Sequence, residues 1–272
     1  MPIINTTTDQ WRAKNCPPLY LDSAPDFLLQ TVTQNRLNAM ESSLLKTSCS
    51  DCRLSDLCLP HGLQINEVEQ LATIIKDKRP LRTDELLYSQ DDECRSLYAV
   101  KSGSFRSYIV NSEGVQQTIG FYLPGELMGL DALLHGQFCC SVIALETGSV
   151  CELPLSRLNE LCVEIPSLQH QMTRILSKEI ASDHDQILLL GHSSAKERMA
   201  TFLLMLSRRY GALGFSNTEF NLSMRRQDIA NFLGLSNETI SRQLTALSKT
   251  GVITVKQRGI QIIDLNLLKS IV

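Results

Sequence analysis

Nothing in this 272-residue sequence approaches the roughly 18 unbroken apolar residues that a membrane-spanning helix needs. The opening stretch, MPIINTTTDQWR, lacks a basic segment followed by an apolar one. No secretory leader is therefore expected, and the expected compartment is the reducing cytoplasm. The five histidines, at 61, 135, 170, 184 and 192, stand without motif spacing, and no His/Asp/Ser constellation accompanies them, which argues against an enzyme. Cysteine is plentiful but odd in number. Nine residues cannot close a full set of disulfides, and clustered thiols in a reducing compartment point to metal binding or redox chemistry. Hydrophobic content of 43% and charged content of 20% are those of an ordinary globular chain, long enough for two domains.

An excess of positive charge is also missing. The net charge is −3, which taken alone speaks against a nucleic-acid partner. Its distribution speaks for one. From residue 192 onward 11 lysines and arginines face 5 acidic residues, whereas the preceding chain carries 15 against 24. A basic module on an acidic body is the pattern of a DNA-binding domain attached to a sensor.

Residues 1–47, rich in Ser, Thr, Asn and Gln and broken by Pro17, Pro18 and Pro25, are expected to be a flexible extension with one weak helix near 26–40. Ile65, Val68, Leu71, Ile74 and Ile75 predict a helix over 64–77 with Asn66 as its N-cap. Between Pro80 and Pro154 short apolar runs alternate with the turn signals SQDDE, KSGS, NSEG, LPGE and ETGS, and Val115, Ile119 and Phe121 share one parity. This texture predicts a small antiparallel barrel or jelly roll. Pro166 opens a helical pattern in which Thr173, Leu176, Ile180, Asp183, Ile187 and Leu190 recur at alternating steps of three and four. That is a coiled-coil seam about 36 Å long over 167–190 at 1.5 Å per residue. A capping box from Ser194 to Glu197 starts the next helix, which stops at Gly211.

The stretch RRQDIANFLGLSNETISRQLTAL then reads as a helix-turn-helix. Ala230 is the small residue where the helices cross, Gly234 tolerates the left-handed turn, Ser236 caps the second helix and Ile240 anchors it. Glu238, Ser241 and Arg242 share the opposite face of that second helix, in the turns that enter a major groove. Arg can bind guanine O6 and N7 bidentately, Glu can accept from cytosine N4, and Ser can serve either role. GVITV, KQRG and IQIID follow as strand, turn and strand, which makes the motif winged, with Lys256 and Arg258 as candidate phosphate contacts.

Upstream, SCSDCRLSDLCLP holds Cys49, Cys52 and Cys58 in a C-x2-C-x5-C spacing. Zinc and iron–sulphur clusters both take four thiolates, so three local ligands need a distant fourth. Cys16, Cys94, Cys139, Cys140, Cys151 and Cys162 remain, and spacing does not choose among them.

Five stretches, CSDCRLSDLCLP, QTIGFYLPGELMGLDAL, ALETGSVCELP, ILLL and LGLSNETISR, make the chain resemble the fumarate and nitrate reduction regulators, within the larger group that includes the cyclic AMP receptor protein. The likeness covers roughly residues 48–272. It implies an α+β fold: a cluster-binding loop and cyclic-nucleotide-binding-like jelly-roll sensor over 48–165, a dimerisation helix over 166–191, and a winged helix-turn-helix over 192–272. It also implies an oxygen-labile [4Fe–4S] cluster on Cys49, Cys52, Cys58 and Cys151, a cluster-bound homodimer, and a cluster-free monomer. The dimer is expected to bind double-stranded DNA at TTGAT-type palindromes and to contact RNA polymerase, activating or repressing transcription. Glu238, Ser241 and Arg242 match the base-reading positions, with Asn237 where relatives often carry valine. A cyclic nucleotide receptor would place a phosphate-binding arginine, followed by serine or threonine, where this chain has Cys139 and Cys140, so no cyclic nucleotide is expected although Glu126 is retained. The same fold answering to zinc or to a thiol–disulfide switch is the alternative.

The seam suggests a switch. Leu176, Ile180 and Ile187 favour pairing, while two facing Asp183 carboxylates oppose it. A cofactor that pins residues 49–58 to the barrel at Cys151 would tip that balance.

Overall fold

The structure, a computed structural model, describes residues 49–272. The extension expected over 1–47, its weak helix and Cys16 lie outside the described residues.

A 3-10 turn, Cys49–Asp51, and an irregular loop lead into helix α1, Ile65–Ile74. This helix is capped at Gln64 rather than at Asn66. Glu67 reaches back to the Gln64 N–H (2.7 Å), which leaves Asn66 inside the first turn and Ile65 turned to water. Val68, Leu71 and Ile74 face inward as their spacing predicts. The chain then leaves the helix earlier than expected, because Lys76–Asp77 forms strand β1 against the barrel.

The barrel is a pair of antiparallel four-stranded sheets. One has the order β1-β8-β3-β6, with β3 at Ser96–Ser102, β6 at Leu127–Met128 and β8 at Ser149–Pro154. The other has the order β2-β7-β4-β5, with β2 at Leu86–Tyr88, β4 at Phe105–Val110, β5 at Gln116–Tyr122 and β7 at Ser141–Ala144. Leu97, Val100, Phe105, Met128, Val142 and Val150 close the space between them. Tyr88 stacks on Phe138 with ring centroids 3.8 Å apart. At one corner Gly103 (φ +75°) lies against Gly148, where a Cβ would stand 2.7 Å from the Gly148 Cα.

The shared parity of Val115, Ile119 and Phe121 does not give one buried face. Ser107 pairs with Gly120 and Tyr108 with Thr118, so Ile119 is the extra residue of a β-bulge. The bulge changes the facing of everything beyond it, and Val115 and Ile119 are exposed while Phe121 is buried.

Helix α2, Leu155–Glu164, was not anticipated from the sequence. Helix α3, Pro166–His192, begins with Pro at its first turn and runs about 40 Å at 1.5 Å per residue. Helix α4, Ala195–Ala212, starts at the expected Ser194–Glu197 capping box. Helices α5, Arg226–Leu233, and α6, Asn237–Lys249, are joined through Gly234 at φ +61°. The wing is three-stranded, in the order β10-β11-β9: β9, Glu219–Asn221, joins the expected hairpin of β10, Ile253–Lys256, and β11, Gly259–Ile262. A short helix α7, Leu265–Lys269, closes the domain. Met199, Leu203, Leu206, Ile229, Leu233, Ile240 and Leu247 are its fully buried centre. Arg198 fastens three chain segments there, donating to the carbonyls of Leu190 (2.8 Å), Ser193 (3.0 Å) and Leu233 (2.9 Å).

Candidate functional site

The loop that carries Cys49, Cys52 and Cys58 lies near enough to Cys151 of β8 for the thiols to feel one another's charge, although 93 positions separate Cys58 from Cys151. Each pair of turns in the loop is tied by backbone bonds, Cys52 N–H to the Cys49 carbonyl (3.3 Å) and Cys58 N–H to that of Leu54 (2.9 Å). Leu59 inserts fully into the barrel core and anchors the loop's far end. Cys151 sits mid-sheet, paired with Asp77 on one side and Ala99 on the other.

The thiols lie in one another's fields. Burial pushes Cys49 up to about 11, with Cys151 and Cys52 adding to it. Burial also pushes Cys151 up to about 11, against the pull of Lys101 and with Asp77 and Cys52 opposing that pull. Cys58 rises to about 12, chiefly through burial, with the Leu59 backbone opposing and Cys151, Cys49 and Cys52 adding. These thiols are protonated at neutral pH unless a strongly positive group enters among them. Among the described residues no three Cys, His, Asp or Glu side chains are grouped closely enough to hold one metal ion.

The loop also touches the long helix. Gln171, buried near the start of α3, donates to the Cys58 carbonyl (3.4 Å). Farther along, Leu176 is half-buried, while Ile180, Asp183 and Ile187 are exposed, at 56% for Ile180 and 67% for Ile187. From Ile180 to Ile187 the seam is thus an apolar stripe with a carboxylate in it, uncovered among the described residues.

Of the cysteines outside this group, Cys94 and Cys140 are buried and Cys139 is exposed. Asp131 accepts the Cys139 N–H (2.9 Å) and, after burial, raises the Cys140 and Cys94 thiols. Glu126 is held by Arg209 of α4, which donates through Nε (2.9 Å) and Nη2, and Nη2 also donates to the Phe121 carbonyl (2.5 Å).

On α6, Ser236 caps the helix by accepting the Thr239 N–H (3.1 Å). Glu238 and Arg242 project into solvent and pair with each other at 2.5 Å, and Ser241 is exposed beside them, donating to the Asn237 carbonyl (3.1 Å). Lys256 and Arg258 are exposed at the wing tip, where Gln257 takes φ +54°. Two cations passed over in the sequence, Arg226 and Lys249, line a groove beside α6. Their type gave no signal, because exposed Arg and Lys are common; only their place beside the second helix of the helix-turn-helix distinguishes them.

Comparison with known proteins agrees with this architecture. Residues 78–164 match the cyclic nucleotide-binding domain family and residues 197–271 the Crp-like helix-turn-helix domain family. The chain is 45% identical over 214 residues to the fumarate and nitrate reduction regulatory protein of Escherichia coli (strain K12), covering 79% of this chain and 86% of that one. It is 44% identical to the regulatory protein HlyX of Actinobacillus pleuropneumoniae, covering 79% and 89%. The anaerobic regulatory protein of Haemophilus influenzae is 45% identical, over 80% of this chain and 85% of the relative. Among solved structures, FixK2 from Bradyrhizobium japonicum superposes with a TM-score of 0.67 at 30% identity, over 73% of this chain and 97% of that one.

Proposed function

The chain belongs to the family of fumarate and nitrate reduction regulators, DNA-binding transcription regulators of the wider group, and from that premise we propose that it controls anaerobic gene expression in response to oxygen. The observation that supports this reading is the nearness of the loop carrying Cys49, Cys52 and Cys58 to Cys151 on the sheet. Cys49, Cys52, Cys58 and Cys151 would hold a [4Fe–4S] cluster, which takes four thiolates. When bound, the cluster supplies positive charge to the thiolates and an oxygen-labile cross-link between loop and barrel.

The chain's own residues convert that cross-link into a signal. Holding Cys58 fixes the carbonyl that accepts from Gln171, and with it the base of α3. Leu176, Ile180 and Ile187 then favour pairing with a second copy, against the repulsion and desolvation of two Asp183 carboxylates. The dimer presents two copies of α6 to a palindrome of TTGAT-type half-sites. Glu238, Ser241 and Arg242 read base edges, and Lys256 and Arg258 bind phosphates, in the cytoplasm, with RNA polymerase as the further partner. Air returns the monomer. A cyclic nucleotide has no part in this, since Asp131 stands beside Cys139 and Cys140 and Arg209 occupies Glu126.

Anaerobic purification followed by an absorption spectrum and then air exposure tests the reading. A brown protein that bleaches in air, and that loses its colour in Cys151→Ser, is the expected result. A colourless protein with stoichiometric zinc, or one that only interconverts dithiol and disulfide, would overturn it.

A further inference from the structure

One face of α5, the first helix of the helix-turn-helix, is turned onto the barrel. Arg225, Asp228 and Asn231 follow one another at helical spacing along it. Asp228 forms a nearly buried ion pair with Arg106 of β4 (3.0 Å). Arg225 pairs with Asp84, in the turn before β2. Asn231 does something more specific. Its Nδ2 donates to the Gln116 carbonyl (2.8 Å) and its Oδ1 accepts from the Thr118 N–H, while Gln117 Nε2 donates to the Asn231 carbonyl (2.7 Å). Strand β5 is the edge of its sheet, and Gln116 O and Thr118 N–H lie along that open edge. The carboxamide, one donor and one acceptor in a plane, pairs with this edge as a neighbouring strand would. Phe121 packs on Phe232 beside it, with ring centroids 5.1 Å apart.

We propose that Asn231 is a positioning residue that registers the DNA-reading helix on the sensor through the edge of β5, so that two copies of the chain present their helices at one fixed spacing. The proposal rests on the reading of the protein as a dimeric palindrome binder. Two features favour a positioner over a mask. The dock uses α5, and with the dock closed Glu238, Ser241 and Arg242 all remain exposed. The bond also depends on register: Thr118 adjoins the bulge at Ile119, so a slipped strand would offer Asn231 a different pair of groups. Half-sites lie one helical turn apart, and a domain already held at the right spacing loses less orientational freedom on binding.

The test compares the cluster-loaded wild type with Asn231→Ala, on the helix side, and Gln117→Ala, on the barrel side. Each is titrated with a full palindrome, with a palindrome whose half-sites are moved one base pair apart, and with a single half-site. Both variants should bind the palindrome roughly three- to tenfold more weakly, by loss of one or two hydrogen bonds. They should bind the single half-site as the wild type does, and should discriminate less against the altered spacing. Equal losses on palindrome and half-site would assign Asn231 to the helix-turn-helix fold alone and overturn the proposal. No change, or a gain in affinity, would overturn it too. Hydrogen exchange of the Thr118 amide without DNA separates this proposal from the functional reading. If the wild type binds no palindrome, the functional reading falls. Faster exchange in Asn231→Ala would still support the dock, and unchanged exchange would overturn it.

Discussion

Arg209 and Glu126 join the DNA-reading module to the sensor by a two-point ion pair, and the same guanidinium donates to the carbonyl of Phe121. The Glu126 carboxylate is thus engaged by the protein itself. Both side chains are mostly shielded, so the pair exceeds the small worth of a surface salt bridge. Glu126→Gln is expected to destabilise the fold by about 1–2 kcal/mol. Differential scanning calorimetry should show the loss, with the two domains less cooperative. Unchanged unfolding would mean that the pair contributes nothing.

Asp183 lies exposed between the exposed Ile180 and Ile187. Asp183→Ala in air-exposed protein should tighten self-association roughly tenfold or more, because two facing carboxylates are removed from an apolar seam. Sedimentation equilibrium measures this directly. A variant as monomeric as its parent would place Asp183 outside the interface.

Arg242 and Lys256 should fail in different ways. Arg242→Ala is expected to lose about 1–3 kcal/mol of discrimination at one base pair of each half-site. Lys256→Ala should weaken all sequences alike and flatten the salt dependence by about one phosphate contact per chain. A Lys256 effect confined to one sequence would contradict its assignment.

The thiols of Cys49 and Cys151, raised to about 11, should react slowly in cluster-free protein at neutral pH. Only the thiolate reacts, and its fraction grows as pH rises toward the raised value. Alkylation followed by mass spectrometry should therefore speed up on the order of tenfold per pH unit between roughly 7 and 10. A rate already flat above pH 8 would show thiols that burial does not protect.

Gly103 takes φ +75° within contact distance of the Gly148 backbone. Gly103→Ala should lower stability by about 2 kcal/mol or more, read from the denaturant midpoint, because the methyl group meets backbone that cannot turn aside.

The sequence by itself determined several elements whose cause is local, although the equally local Gln64–Glu67 box caps α1 in place of Asn66. The Ser194–Glu197 box, Gly234 between α5 and α6, the Ser236 cap and the inward Ile240, Leu244 and Leu247 are all where their residue types require. The triplet of cysteines was legible as incomplete, and only resemblance pointed to Cys151. Tertiary structure decided what depends on residues far apart in the chain. It put Cys151 beside the loop through the pairing of β8 with β1 and β3, and Gln171 against the Cys58 carbonyl. It turned Ile119 outward at a bulge. It also set Asn231 on the edge of β5 and Arg209 on Glu126, 115 and 83 positions apart in the chain. Periodicity reports which face of an element is apolar. It carries no information on which open strand edge or buried carboxylate that element will meet, because those partners are set by how the two domains pack.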